Sequence, residues 1–166
     1  MRTLKALVLI AAACLAACSP KLDWREFHAK DGGFTVLLPQ KPGQAEHKLT
    51  TPLGAITMKM YSVRIDETVL AAGFADFGQP PDKKTLDVMQ GGLVRSMNGK
   101  LTAEKPLAAG NLAGREILIA GADGKAEMRA RLYFSDKRYY QVVLAGNKGG
   151  FAPADADMFF DSFRVN

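Results

Sequence analysis

Cysteine and histidine are the side chains from which a protein most readily builds nucleophiles, acid–base pairs and metal sites, and this 166-residue chain has two of each. Cys14 and Cys18 fall in a run of apolar and small residues near the start, whereas His28 and His47 sit in polar stretches beside Asp31 and Glu46. A zinc centre takes three or four protein ligands, and no further His or Cys completes a set around either histidine. Acid–base work would join His28 to Asp31 or His47 to Glu46. Both pairs lie at polar strand or turn edges, so exposed surface histidines are expected. Asp155, Asp157 and Asp161 have no glycine turn among them and no bidentate glutamate after them, as a calcium loop requires. Carboxylates at the start of a helix are favoured by its dipole, which is the role expected of them here. Ser62, Ser96, Ser135 and Ser162 have no histidine nearby in sequence, and no Gly-x-Ser-x-Gly occurs. Gly91-Gly92 and Gly149-Gly150 lack the spacing and the Lys-Ser/Thr of a phosphate cradle. The residues point away from catalysis, and they call for no cofactor.

One cluster suits recognition. Arg129, Arg131, Lys137 and Arg138 fall on one predicted hairpin beside Tyr133 and Tyr139. Arginine and tyrosine are enriched at interfaces, and such a surface fits lipid head groups, a glycan or an acidic protein. A solvated outer sheet face is the plainer expectation, since isolated charges on an exposed face are usual. Arg115-Glu116 reads as an ion pair at a turn edge. Phe74, Phe77, Phe159 and Phe160 could line a pocket between sheet and helices, but large aromatics dominate cores, and packed core is expected of them.

The elements that position these residues begin after an N-terminal segment of another kind. Arg2 and Lys5 precede the apolar run Ala6 to Ala13, and Leu15-Ala16-Ala17 leads into Cys18. This is the order of an export signal. Ala6 to Ala17 falls short of the roughly 20 apolar residues that a spanning helix needs, and Pro20, Lys21 and Asp23 close it. The stretch resembles the lipobox of bacterial lipoproteins. That resemblance implies removal of residues 1–17 and attachment of a diacylglyceryl group to Cys18; Cys14 lacks the large aliphatic residue three positions earlier. Two or more acyl chains anchor stably, so the membrane is the partner expected through Cys18. By the same resemblance, Ser19 in place of Asp points to the outer membrane of a diderm cell, with the domain in the periplasm. Residues 18–23 form the lipidated N-terminus and a short tether, Ser19 to Leu22 spanning at most about 13 Å.

Acylated Cys18 removes thiol catalysis, disulfides and thiolate metal sites from the domain. The formal charge of +5 includes Arg2 and Lys5, so residues 24–166 are only mildly basic. Nucleic acid is no expected partner outside the cytoplasm, whereas anionic head groups are.

Residues 24–166 read as one domain without repeat or linker. Strands are expected over 24–28 and 34–38, around the turn Asp31-Gly32-Gly33, and then over 46–51 and 55–63 as a hairpin. In the latter arm Ile56, Met58 and Met60 alternate with Thr57, Lys59 and Tyr61. A strand over 68–77 precedes a helix that Asp82 caps, with Leu86, Met89, Leu93, Val94 and Met97 on one stripe and Gly99 at its end. Gly91-Gly92 within it suggests close packing against a sheet or, alternatively, a local break in the helix. Strands over 100–107, 112–120, 126–135 and 139–145 follow, separated by Gly110-Asn111, Asp123-Gly124 and Asp136-Lys137. A helix from Pro153 to about Phe160 and a short edge strand at Phe163-Arg164-Val165 close the chain.

Strand hairpins with one helix between them and another at the end define an α+β domain. The order Gly-Gly-Phe34-Thr35-Val36-Leu37-Leu38-Pro39, midchain helix, Leu112-Ala113-Gly114-Arg115-Glu116, Arg131-Leu132-Tyr133-Phe134, Tyr139-Tyr140-Gln141-Val142 and Phe160-Asp161-Ser162-Phe163 resembles small bacterial envelope domains of the PsbP/Mog-like superfamily. The resemblance implies an αβα sandwich around an antiparallel sheet and a non-catalytic binding or accessory role. A fold alone does not assign a ligand. The expectation is therefore a lipid-anchored, non-enzymatic module with an envelope protein, lipid or glycan as partner. The alternative is a hydrolase or small-ligand-binding protein acting on an envelope lipid or glycan.

Overall fold

A computed structural model describes residues 22–110 and 112–166. Residues 1–21, with the expected export segment and Cys18, and Asn111 lie outside the described residues. Two antiparallel meanders are built first: β3 (Gly43–Thr51), β4 (Gly54–Ile65) and β5 (Thr68–Asp76), and then β6 (Lys100–Ala109), β7 (Leu112–Ala120), β8 (Ala126–Ser135) and β9 (Arg138–Asn147). β5 pairs with β9, which fuses them into one seven-stranded sheet of order β3-β4-β5-β9-β8-β7-β6. The tight reversals fall where the backbone turns left-handed, at Gly54, Asp66, Gly124 and Asp136, a conformation tolerated by Gly and Asp.

Because β5 ends mid-sheet and β6 is the far edge, the chain must cross three strands between them. Helix α1 (Lys83–Ser96) carries it over one face. Asp82 caps that helix by accepting from the Thr85 amide, as expected. On the other face lie α2 (Pro153–Asp161) and a three-stranded sheet of β1 (Arg25–Ala29), β2 (Phe34–Leu38) and β10 (Arg164–Val165), ordered β1-β2-β10.

Period-2 alternation divides the large sheet between two cores. Leu70, Ala72, Phe74, Tyr140 and Val142 face α2 and the small sheet, where Phe34, Phe159, Phe160 and Phe163 meet them. Ala71, Ala75, Tyr139, Val143, Ile117, Ile119 and Met128 face α1, packing with Met89, Leu93 and Met97. Among the described residues ten strands accompany two helices. The domain is thus mostly sheet, with one helix on each face of the long sheet and the small sheet beside α2.

Three local expectations are corrected. The first strand starts at Arg25, not Trp24. Asn98, not Gly99, turns left-handed after α1; Gly99 instead lies so close to β7 that a Cβ there would come within 2.3 Å of the Ala120 carbonyl oxygen. Gly91 and Gly92 make no tight contact with the sheet, because a Cβ at either would meet only the Arg95 guanidinium, at 3.2 and 3.9 Å.

Candidate functional site

The basic and aromatic residues of the predicted hairpin do not share a surface. Arg129, Arg131 and Tyr133 point to the α2 side of the sheet, and Tyr139 points to the α1 side. Tyr133 is buried and stacks on Phe163, with ring centroids 5.3 Å apart. Tyr139 is fully buried and donates to Gln141 Oε1 at 2.9 Å. Arg138 is held by Asp76, lies 4.9 Å from the Phe74 ring centroid, and donates to the Gly32 carbonyl. Lys137 is exposed in the β8–β9 turn. Neither a recognition patch nor a solvated face describes this set.

Arg129 and Arg131 instead fasten α2 to the sheet. Register sets Lys105, Glu116 and Arg131 side by side across β6, β7 and β8. Glu116 Oε2 accepts from Arg131 Nε at 2.7 Å and Arg129 at 3.0 Å, while Lys105 Nζ is 2.9 Å from Oε1. Asp157 and Asp161, four residues apart on one face of α2, accept from Arg129 Nη1 at 2.8 Å and Arg131 Nη1 at 2.7 Å, which leaves Arg129 Nε buried without a partner among the described residues. The Phe160 ring lies under both guanidiniums, at 4.5 and 5.2 Å. The two aspartates dock the helix rather than cap it. Burial pushes the Glu116 carboxyl up, but hydrogen bonds from Arg131, Lys105 and Arg129 outweigh it and bring the carboxyl down to about 2 from 4.5. Every charge here is answered by a neighbour, so the cluster is mechanical.

Arg115 and Glu116 are adjacent on β7 and therefore point to opposite faces. Arg115 meets Gln90, Glu104 and Asp87 on the α1 side, so the expected turn-edge pair does not form. His28 is exposed, its Nδ1 3.0 Å from Thr35 Oγ1 and its Nε2 3.1 Å from Glu26. Asp31 accepts from the Tyr61 hydroxyl at 2.6 Å, not from a histidine. Phe74, Phe159, Phe160 and Phe77 are packed core, as expected, the first three in one core and Phe77 in the other, so they line no common pocket.

A concave site does open where α1 overhangs the β3–β4 edge. This groove of about 540 Å³ is lined by Leu49, Met58, Met60, Met89 and Leu93, with His47, Arg95 and Gln141 among its polar residues. The volume is in the range, roughly 300–1,000 Å³, of small-molecule sites. Two features of the fold build it. His47 pairs with Met58 and Leu49 with Ile56, which puts the outer residues of β3 on the same face as the β4 methionines. Gly73 lies between Met60 and Gln141 in the cross-strand row, and a Cβ there would meet the Met60 sulfur at 2.3 Å; its absence lets the thioether lie over the sheet toward Gln141. In sequence the Met58/Met60 alternation reads simply as core. The one available signal is Gln141, a polar interruption of Tyr139-Tyr140-Gln141-Val142-Val143-Leu144.

The two-layered packing around one long antiparallel sheet, closed by the small terminal sheet, is a PsbP-like fold. The solution structure of cyanobacterial PsbP (CyanoP) from Synechocystis sp. PCC 6803 matches with a TM-score of 0.59, over 92% of this chain and 99% of that one. The two sequences are 11% identical, so the likeness is one of fold. No family model and no curated protein sequence matches the chain.

Proposed function

We propose that this chain is a lipid-anchored protein of the bacterial envelope, held by Cys18 in the outer membrane with its domain in the periplasm. Its PsbP-like domain binds another envelope component without catalysing a reaction, and the α1–β3–β4 groove is the binding site. The supporting observation is the contrast between that groove and the arginines packed along the sheet. Arg115, Arg129, Arg131 and Arg138 are each engaged by carboxylates. In the groove, apolar walls and a basic side chain lie open together.

The hydrolase alternative has less support. His47 and Ser96 both line the groove, yet Ser96 Oγ donates to the Leu93 carbonyl at 2.8 Å, a bond that points the hydroxyl into its own helix.

Two experiments test the proposal. Labelling cells with radioactive palmitate marks the chain and fails to mark Cys18→Ser; label retained by Cys18→Ser refutes the anchor. A photocrosslinking residue at Leu49, on the groove, gives a discrete adduct in cells, whereas one at Leu101, on the opposite sheet edge, does not. Indistinguishable adducts from the two positions refute the groove.

A further inference from the structure

The chemistry of the groove narrows what it can hold. Its walls carry Met58, Met60 and Met89 together with Leu49 and Leu93. Thioethers are polarizable and flexible, and they line surfaces that accommodate apolar ligands of variable shape. Its titratable residues are His47, Lys48 and Arg95, with no carboxylate among them. Lys48 pairs with Thr57 and so alternates to the other face of β3, which leaves Arg95 and His47 toward the groove. Among the described residues no ion pair forms at Arg95 or Arg64, whereas Arg25, Arg115, Arg129, Arg131, Arg138 and Arg164 each pair with a carboxylate.

Two further observations concern oxygen and space. Gln141 is only 9% exposed and lines the groove. Its Oε1 accepts from Tyr139, but among the described residues the one partner of its amide nitrogen is the Met60 sulfur, at 4.0 Å. A thioether is a weak acceptor, so this buried donor lacks the oxygen it would ordinarily have. Gly91 and Gly92 interrupt α1 with the poorest helix former apart from proline, and no close backbone contact requires them. Gly92 lies in the groove wall, where a Cβ would meet only the Arg95 guanidinium, at 3.9 Å.

From these features we infer that the groove holds a single-chain anionic lipid. The hydrocarbon chain runs along the methionines, and the acceptor oxygens of the head group meet Arg95, His47 and the free amide of Gln141. The inference rests on the groove being the binding site, as proposed above. Neither the apolar walls nor the cation alone selects this ligand; a neutral hydrocarbon leaves Arg95 and the Gln141 amide unanswered, and a bare anion leaves the walls wet.

Photolabelling of the full chain in its membrane with a diazirine-bearing palmitate tests this, with a diazirine-bearing alcohol of the same length as the neutral probe. The expected label is saturable, competed by palmitate and not by inorganic phosphate, and concentrated on the peptides carrying Met58–Met60 and Val88–Ser96. Gly92→Leu fills the groove from a better helix former; it melts no lower than the parent and loses at least tenfold of the label. Arg95→Gln loses at least fivefold of the palmitate label and keeps its alcohol label within twofold. Label spread equally over β6, or unchanged by Gly92→Leu, overturns the inference. If palmitate labelling fails while the Leu49 crosslink persists and disappears in Gly92→Leu, the lipid is wrong and the groove reading stands; loss of both refutes both.

Discussion

Replacing Glu116 by glutamine removes one negative charge from the junction of β6, β7, β8 and α2 while keeping its shape. The carboxylate is held at about 2 by Arg131, Lys105 and Arg129 against an ordinary 4.5. At about 1.4 kcal/mol per pH unit, that difference stabilises the folded chain by about 3 kcal/mol at neutral pH. The side chain is 11% exposed, and the facing Arg131 and Arg129 side chains are 14% and 25% exposed, so solvent screens these contacts little. Lys105, Asp157 and Asp161 are largely exposed, so about 3 kcal/mol is an upper figure. The variant leaves two half-desolvated guanidiniums with only Asp157 and Asp161, and breaking such a pair costs about 3–5 kcal/mol. A loss of up to about 3 kcal/mol, equivalent to about 10 °C in melting temperature for a domain of this size, is expected at pH 7. The depressed carboxyl gives stability that is present above its unfolded value and lost as pH falls through its folded value. The gap between parent and Glu116→Gln is therefore full above about pH 5, shrinks to about 1 kcal/mol near pH 3, and closes near pH 2. Urea melts of both proteins at these pH values measure it. A gap that stays constant from pH 7 to 2, or one below about 1 kcal/mol at pH 7, refutes the reasoning.

Three substitutions probe the groove and its support. Gly73→Ala places a Cβ 2.2 Å from the Lys59 carbonyl oxygen, where backbone must move, and is expected to cost about 3 kcal/mol in a urea melt. Tyr139→Phe deprives Gln141 of its buried donor and is expected to cost about 1–2 kcal/mol, while its effect on groove labelling reports how firmly Gln141 is held. Gly92→Ala meets nothing closer than 3.9 Å and is expected to raise stability by about 1 kcal/mol, seen as a higher melting temperature.

Strand and helix positions were legible because alternation and turn residues act locally. Residues 34–38 and 112–120 are strands as their bounding turn residues predict, and 126–135 as its apolar alternation predicts, and Asp82 caps α1. Nothing local states that β5 pairs with β9, a contact between residues about 70 positions apart. That pairing decides where α1 lies, and with it the groove. The misplaced patch had a local remedy: Tyr133 faces Tyr140 across the β8–β9 ladder, so Tyr139 must turn to the other face. The fate of Arg129 and Arg131 had none, since it depends on Asp157 and Asp161 arriving from α2. Charge in sequence reads as solvated surface until a distant helix of opposite charge covers it. Gln141 illustrates the converse, a polar residue in an apolar strand that marks an opening rather than an edge.

The proposed ligand enters between α1 and the β3–β4 edge. Methyl NMR of the methionine-labelled protein titrated with palmitate tests it most directly, because Met58, Met60 and Met89 line the groove, whereas Met128 is buried in the core and Met158 is exposed on α2. Saturable shifts of the Met58, Met60 and Met89 methyls, with Met128 and Met158 unmoved, are predicted. Shifts in none of the three, or equal shifts in all five, contradict it.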